Sequence, residues 1–503
     1  MKNNKFNKVI AGLAVVSMIS SCTDLVTKET DSTVVKSSGG FTAGNPTDLL
    51  ISSYKDLGNF TDQNNIYALY EHTTDELIPP TRGVDWGDNG VWRSLYTQTW
   101  DPTHASILGA WNNLNQNAYK DNQILASSPS AAQTAEAKFL RAFYMYHVMD
   151  LFGQVPFREV TDGVDVNPKV MTRSEAFDFI VKDLTEALPG LPKIGPDVKN
   201  TQASKAAANA LLARLYLNKA VYKSTTPAGP YTFDKADMDK VIQYADAVTA
   251  DGFSLENSYF DNFSVDAKSE IILTVKHDAG TPQNRIWMTL HYDQNPSGWN
   301  GFATLADFYN KFESTDSRIG APSPAAVGKK YHGITKGFLV GQQYKDDGTP
   351  MVDSRSQKLL QFTKDVPLSG AATEKGIRVI KYHPIDYENG MQYILLRYAD
   401  VYLMKVEAVM RGGTSSSSAA DLINVLRSKR GATPLTSVTE TTMLDERGRE
   451  LYWEGIRRVD QVRFGTFTST WSEKTNTESF RVLFPIPQQA IDSNPNLIPN
   501  EGY

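Results

Sequence analysis

From Thr47 onward, apolar residues recur mostly at three- and four-residue spacing, the period that gathers side chains on one face of an α-helix. In "TDLLISSYKDL" (47–57), Leu50, Tyr54 and Leu57 share a face, with Thr47 at the N-cap. In 104–125, Ile107, Trp111 and Leu114 keep the spacing, which places Trp111 in a core. "AAQTAEAKFLRAFYMYHVMDLF" (131–152) is the clearest helix. Phe139, Leu140, Phe143, His147 and Leu151 line it, Gly153 follows as a C-cap, and Pro156 marks the stop. On that apolar face His147 reads as a core histidine. The same period predicts helices over 172–188, 203–222, 236–250, 397–411, 417–430 and 444–464. Between about 255 and 395 the pattern changes to short apolar runs such as "EIILTVKH" and "RVIKYHP", which predict strands. Loops rich in Gly, Pro, Asn and Asp separate them.

A weak echo runs through the helices. "ARLYLNK" (213–219) and "ADVYLMK" (399–405) share the pattern A-x-[LV]-Y-L-x-K, each in a helix followed by a loop and a second helix. Small residues at fixed places let paired helices approach, as in tetratricopeptide repeats. The expectation is a mainly α fold, with a helix-pair scaffold and a loop-rich, partly β insertion over about 255–395. The insertion belongs to one domain spanning 47–503.

The N-terminus is patterned differently. Lys2, Lys5 and Lys8 precede the uncharged apolar run "VIAGLAVVSMI" (9–19), too short to span a bilayer at ~20 residues. This is the plan of a secretory signal. It ends in Ile19-Ser20-Ser21-Cys22, which resembles a bacterial lipobox, and Cys22 is the single cysteine of the chain. The reading is a signal peptide over 1–21, acylation of Cys22, and a polar tether over 22–46. Several acyl chains, at ~0.8 kcal/mol per buried CH₂, hold a protein on a membrane.

With one cysteine, no intrachain disulfide and no Cys₂ or Cys₄ zinc framework can form. Net charge is −6 without a long basic run, which argues against nucleic acid as a partner. The seven histidines show no HExxH or HxH spacing, and GxSxG, GxxxxGK[ST] and GxGxxG do not occur. No catalytic residue, metal ligand or cofactor is assigned. Glycoside hydrolysis needs only two facing carboxylates, but Asp85 and Asp88 in a glycine-rich turn read as turn formers. In "LDERGRELYWEGIRRVDQVRFG" (444–465) the charges are spaced for pairing along an amphipathic helix, and a structural role is expected.

One stretch resists the helical pattern. "PTRGVDWGDNGVWRSLYTQTW" (80–100) holds Trp86, Trp92 and Trp100, broken by Gly83, Gly87 and Gly90. Sugar rings offer apolar C–H faces that dock on aromatic rings, while their hydroxyls need fixed polar groups. Trp86 sits among glycines and acidic residues and reads as a ligand contact. Trp100 reads as core, and Trp92 stays open between the two. Trp453 and Trp471 read as packing.

Several longer segments carry a family likeness. "AEAKFLRAFYMYHVMDLFGQVPF", "LLRYADVYLMKVEA", "RELYWEGIRRVDQVRFGTF" and the ending "LFPIPQQAIDSNPNLIPNEGY" resemble those of the SusD/RagB-like surface lipoproteins of Bacteroidetes nutrient-uptake systems. Gln461 and Val462 after Asp460 depart from the pattern. The resemblance implies a tetratricopeptide-like scaffold with a loop-rich binding region, and a non-enzymatic role. It implies an outer-membrane, cell-surface lipoprotein that delivers oligosaccharides to a SusC-like TonB-dependent transporter. Peptide import is the alternative, and a surface glycoside hydrolase the third reading. By likeness to the family's starch-binding founder, "WGDN" supplies Trp86 and Asn89, "NPSGWNGF" supplies Trp299, and Tyr292 supplies a third aromatic. Arg82, Asp85 and Trp92 complete the expected ligand-binding group.

Overall fold

A computed structural model of the chain describes residues 43–163, 165–275, 286–324 and 326–503. The expected signal peptide, Cys22 and the tether up to residue 42 lie outside the described residues, as does the end of "EIILTVKH". The first helix, α1, is Pro46–Asp56. Its N-cap is Asn45, whose side chain accepts from the Thr47 N–H, so the expected cap at Thr47 moves two residues back.

The helices that follow are α2 Asn65–Glu71, α3 Val91–Tyr96, α4 Ala105–Ala126, α5 Ala131–Phe152 and α6 Arg173–Ala187. Next come α7 Lys205–Leu217, α8 Lys219–Tyr222 and α9 Lys235–Ala250. The short helices α10 Ala306–Tyr309 and α11 Pro384–Glu388 lie within the irregular region. Then come α12 Tyr398–Met410, α13 Ala419–Lys429, α14 Glu440–Leu451, α15 Arg457–Arg463 and α16 Gln488–Ser493. Capping boxes at Ser130/Gln133 and Thr172/Glu175 open α5 and α6, and Gly153 closes α5 at φ +74°. Consecutive helices pack as neighbours, α4 on α5 and α5 on α6, and α9 lies against both α7 and α12. His147 is buried in α5, its Nδ1 2.8 Å from the Tyr70 hydroxyl. Among the described residues, no helix is long and apolar enough to cross a membrane.

Two expected helices are divided. The one over 203–222 breaks at Asn218. The one over 444–464 breaks between α14 and α15, where Trp453 (φ +58°) and Gly455 (φ +76°) adopt left-handed backbone that a right-handed helix cannot contain. The hairpin of β1 (Gln154–Phe157) and β2 (Lys169–Thr172) joins α5 to α6 and was not evident in the sequence pattern.

The irregular region leaves and re-enters the scaffold through one antiparallel pair. β3 (Ile271–Val275) runs beside β9 (Tyr393–Arg397), which leads straight into α12. Between them lie five more short strands in two small sheets. β4 (Gly320–Ala321), β5 (Lys336–Leu339) and β8 (Arg378–Ile380) form one sheet; β6 (Gly341–Gln342) and β7 (Gln361–Phe362) form another.

Buried charges bolt this region to α14. Arg397 at the end of β9 meets Glu454 (2.7 Å), Glu270 (2.9 Å) and Glu450 (3.0 Å). Arg318 meets Glu446 (2.8 Å) and Glu450 (3.1 Å), and Arg430 meets Glu450 (2.9 Å). The charges of "LDERGRELYWEG" thus pair across elements more than along their own helix. Taking such ions out of water is costly, so their value is positional: each carboxylate is satisfied in one arrangement of the insertion.

Candidate functional site

The stretch at 80–100 turns sharply three times. Arg82 and Asp85 exchange backbone hydrogen bonds, each 3.0 Å, around Gly83 (φ +62°) and the exposed Val84. Trp86 (φ +63°), Asp88 and Asn89 (φ +53°) then adopt the left-handed region, which bulky side chains avoid. After Gly90 (φ +82°) the chain enters α3.

That course lays Trp86 across a second segment. Its indole packs over Gly301 and lies 4.6 Å, centroid to centroid, from the Phe302 ring. Its Nε1–H donates to the carbonyl oxygen of Trp299 at 2.9 Å. The Trp299 ring is 6.4 Å from that of Trp86, the planes inclined at 42°, and the residue is 39 % exposed. A large aromatic left open to solvent on a braced backbone is a ready stacking surface.

Tyr292 flanks this surface through Asp85. Its hydroxyl donates to the Asp85 carboxylate, and the Arg355 guanidinium lies 4.0 Å from its ring centroid and 3.5 Å from Asp85. Burial, then the hydrogen bond to Asp85, pushes the Tyr292 hydroxyl up to about 12. It therefore remains a donor through the physiological range. Asn89 is exposed in the turn, and its side chain makes no hydrogen bond to the described residues.

Two expected contacts stand behind the surface instead. Arg82 is 2 % exposed; its guanidinium donates to the carbonyl oxygens of Ala372, Thr373 (3.5 Å) and Lys375 (2.7 Å). Burial pushes its pKa down to about 10. It ties the 372–375 loop to the tryptophan turn. Trp92 is 6 % exposed, its Nε1–H given to Asp88 at 2.6 Å, and its ring lies 5.2 Å from Phe302. These two residues support Trp86 rather than present a face to solvent. Asp85 and Asp88 are both engaged in holding this turn together. Trp100 is buried against Phe484 (4.6 Å).

His291, Asp293 and Asp353 bring a ring nitrogen and two carboxylates within 4.8 Å of one another, donor types able to hold a divalent cation. His291 Nδ1 and both carboxylates already have hydrogen-bond partners. His291 Nδ1 accepts from the Asp293 N–H (3.2 Å), Asp293 accepts from the Ser354 N–H (2.8 Å), and Asp353 accepts from the Arg355 N–H (2.8 Å) and the Thr373 hydroxyl. Burial and Arg378 push His291 down to about 4, so it is neutral at pH 7.

Sequence reasoning missed Arg355, Gly301 and Phe302. The last two were adjacent in "GWNGF", where a glycine between large aromatics signals close approach. Arg355 carried no signal, because its stacking on Tyr292 exists only in the folded chain.

The family comparisons are consistent with this architecture. Residues 252–481 match the family described as "SusD family", and residues 56–217 match the one described as "Starch-binding associating with outer membrane". The chain belongs to the SusD/RagB-like family. It is 27 % identical over 476 residues to the starch-binding protein SusD of Bacteroides thetaiotaomicron, covering 83 % of this chain and 82 % of that one. A SusD-like protein of Formosa agariphila is 24 % identical over 444 residues, covering 83 % and 81 %. Among solved structures, a SusD superfamily protein from Parabacteroides distasonis aligns with a TM-score of 0.70 at 20 % identity, covering 91 % and 98 %. Surface glycan-binding protein A from Bacteroides thetaiotaomicron, in complex with laminarihexaose, aligns with a TM-score of 0.65 at 17 % identity, covering 90 % and 98 %. These likenesses establish a SusD-type fold of helical scaffold and small open sheets.

Proposed function

We propose that this protein binds carbohydrate on the surface formed by Trp299, Trp86 and Tyr292, with Asp85, Asn89 and Arg355 at its edge. The observation that carries the reading is the exposed Trp299 ring, whose backbone is braced by the Trp86 indole N–H. Its open face suits the C–H face of a sugar, and the Tyr292–Asp85–Arg355 group offers polar partners for hydroxyls. The names of its relatives, a starch-binding protein and a laminarihexaose-bound glycan-binding protein, support the ligand class. Arg82 and Trp92 hold the surface from behind.

In this reading the protein is not an enzyme. It is anchored at the outer membrane by lipid on Cys22, faces the cell exterior, and passes its ligand to a SusC-like TonB-dependent transporter. Titration calorimetry with laminarihexaose, maltohexaose and a panel of plant and host hexasaccharides tests the binding. One or more should bind, and Trp299→Ala should weaken that binding at least tenfold. Peptide binding without any saccharide binding would overturn the reading in favour of peptide import. Cys22→Ala should release the protein from the membrane fraction, and its retention there would refute the anchor.

A further inference from the structure

A cavity of about 300 Å³ lies apart from the tryptophan turn, none of whose residues lines it. It lies against α14 and α15 and the segment that follows them. Phe464 and Trp471 supply its apolar walls; Thr441, Ser469 and Thr470 lie at its rim. Trp471, expected as plain packing, is only half-buried.

The charges around this cavity are already spent on one another. Arg457 grips Asp75 with two bonds (2.7 and 2.8 Å), Lys311 meets Asp445 at 2.6 Å, and Arg411 meets Glu440 at 3.3 Å. A charged ligand would find no unspent counter-ion among the described residues that line the cavity and would lose hydration on entry. The exposed hydroxyls of Thr441, Ser469 and Thr470, by contrast, make no hydrogen bond to the described residues. Gln461, one of the residues that depart from the family pattern, donates to Asp75 at 3.0 Å, while its Oε1 is buried in the wall without a hydrogen-bond partner among the described residues.

The Trp471 ring is held in place. The Lys474 ammonium lies 4.4 Å from its ring centre and donates to the Ser469 carbonyl (2.7 Å), while Trp471 and Lys474 exchange backbone hydrogen bonds. The Tyr96 hydroxyl donates to the Ser472 carbonyl, so this turn is tied to the far end of α3, the helix that carries Trp92. A fixed aromatic wall, free hydroxyls and lining charges that are paired with one another are the attributes of a site for a neutral, hydroxyl-rich ring compound.

We propose that the cavity beside Trp471 is a second binding site, taking one or two residues of a neutral saccharide independently of the Trp299 surface.

The test is calorimetry of the full-length protein with laminarihexaose, maltohexaose, xylohexaose and cellohexaose. It uses wild type, Trp471→Ala, Trp299→Ala and the double variant, with thermal unfolding to check each fold. The expected result is a weak class of sites that persists in Trp299→Ala and is lost at least tenfold in Trp471→Ala and in the double variant. Ser469→Ala with Thr470→Ala, at the exposed rim, should weaken the same class without lowering Tm. A single class of sites abolished by Trp299→Ala and untouched by Trp471→Ala overturns this proposal and leaves the Trp299 reading standing. Binding lost only in Trp471→Ala upholds this proposal and overturns the other. Absence of binding to every hexasaccharide overturns both.

Discussion

The indole N–H of Trp86 donates to the backbone oxygen of Trp299 across 213 residues of chain. One aromatic therefore sets the position of the other. Trp86 comes from the turn before α3 and Trp299 from the insertion, so the surface exists only when the two are docked. Trp299→Ala removes a ring 39 % exposed and should weaken glycan binding tenfold or more, about 1.4 kcal/mol, with Tm unchanged. Trp86→Phe keeps an aromatic ring but deletes the N–H. It should lower affinity several-fold and also lower Tm, because the Trp299 carbonyl loses its partner. Equal affinity in wild type and Trp86→Phe would show that the bond does not position Trp299.

Gly301 is the floor on which Trp86 lies. A methyl group there would overlap the Trp86 indole and stand 2.9 Å from the Met288 carbonyl oxygen. The ring can move, but the backbone oxygen cannot move cheaply. Gly301→Ala should displace Trp86, cost about 1–3 kcal/mol of stability, and reduce glycan affinity with Trp299 itself untouched. Tryptophan fluorescence and calorimetry on the same variant read the two effects, and an unshifted emission spectrum would count against the displacement.

Tyr292 joins the tryptophan turn to the insertion through Asp85. Tyr292→Phe leaves the Arg355 stacking surface but removes the hydroxyl bonded to Asp85. Asp85 is then held only by the exposed Arg355 at 3.5 Å, a weak restraint. Affinity should fall about three- to tenfold, roughly 1 kcal/mol, the scale of one hydrogen bond. Because the hydroxyl is pushed up to about 12, wild-type affinity should show no titration of Tyr292 between pH 7 and 10. Calorimetry across that range checks both points.

The helical scaffold was legible because its signal is local. Leu50, Tyr54 and Leu57, or Phe139, Phe143 and His147, declare their face within a few turns. What stayed hidden depended on partners far along the chain. Arg82 looked like a ligand contact beside Trp86, yet its guanidinium is spent on carbonyls about 290 residues away. Trp92 could not be assigned because nothing local shows that Asp88 takes its N–H or that Phe302 meets its ring. The break at Trp453 and Gly455 was masked by apolar spacing that continues across it. The pairing of β3 with β9 likewise appears in no local pattern.

Arg397 closes the insertion onto α14, with Glu270, Glu450 and Glu454 as its partners. Arg397→Met removes the cation and leaves the carboxylates short of it in a buried site. Breaking such a pair costs about 3–5 kcal/mol, so Tm should drop by several degrees or the variant should fail to fold. Arg397→Lys keeps the charge but cannot reach all three carboxylates at once, and should fall between. Thermal unfolding of the two variants gives the order, and a Met variant as stable as wild type would show the network to be dispensable.

Acid should weaken the fold in two stages. Burial pushes His147 well below the ordinary 6.5, and the Arg214 charge adds to this. The native state thus refuses a proton that the unfolded chain accepts. Stability present above pH 6.5 is therefore lost progressively as pH falls below it. Burial alone would raise Glu407 and Glu446. The guanidinium groups of Arg463 and Arg411 around the first, and of Arg318, Arg449 and Arg427 around the second, outweigh it and hold each at about 2. Their contribution is complete above the unfolded value of 4.5 and is lost between there and pH 2. Tm measured from pH 8 to 3 should decline gently below 6.5 and steeply below 4.5. His147→Asn, which carries no titrating ring, should make the 6.5–5 segment shallower and leave the steeper limb in place; His104, His291 and His383, which burial also pushes down, carry the rest of that segment. A Tm profile for that variant parallel to wild type throughout would remove His147 from the account.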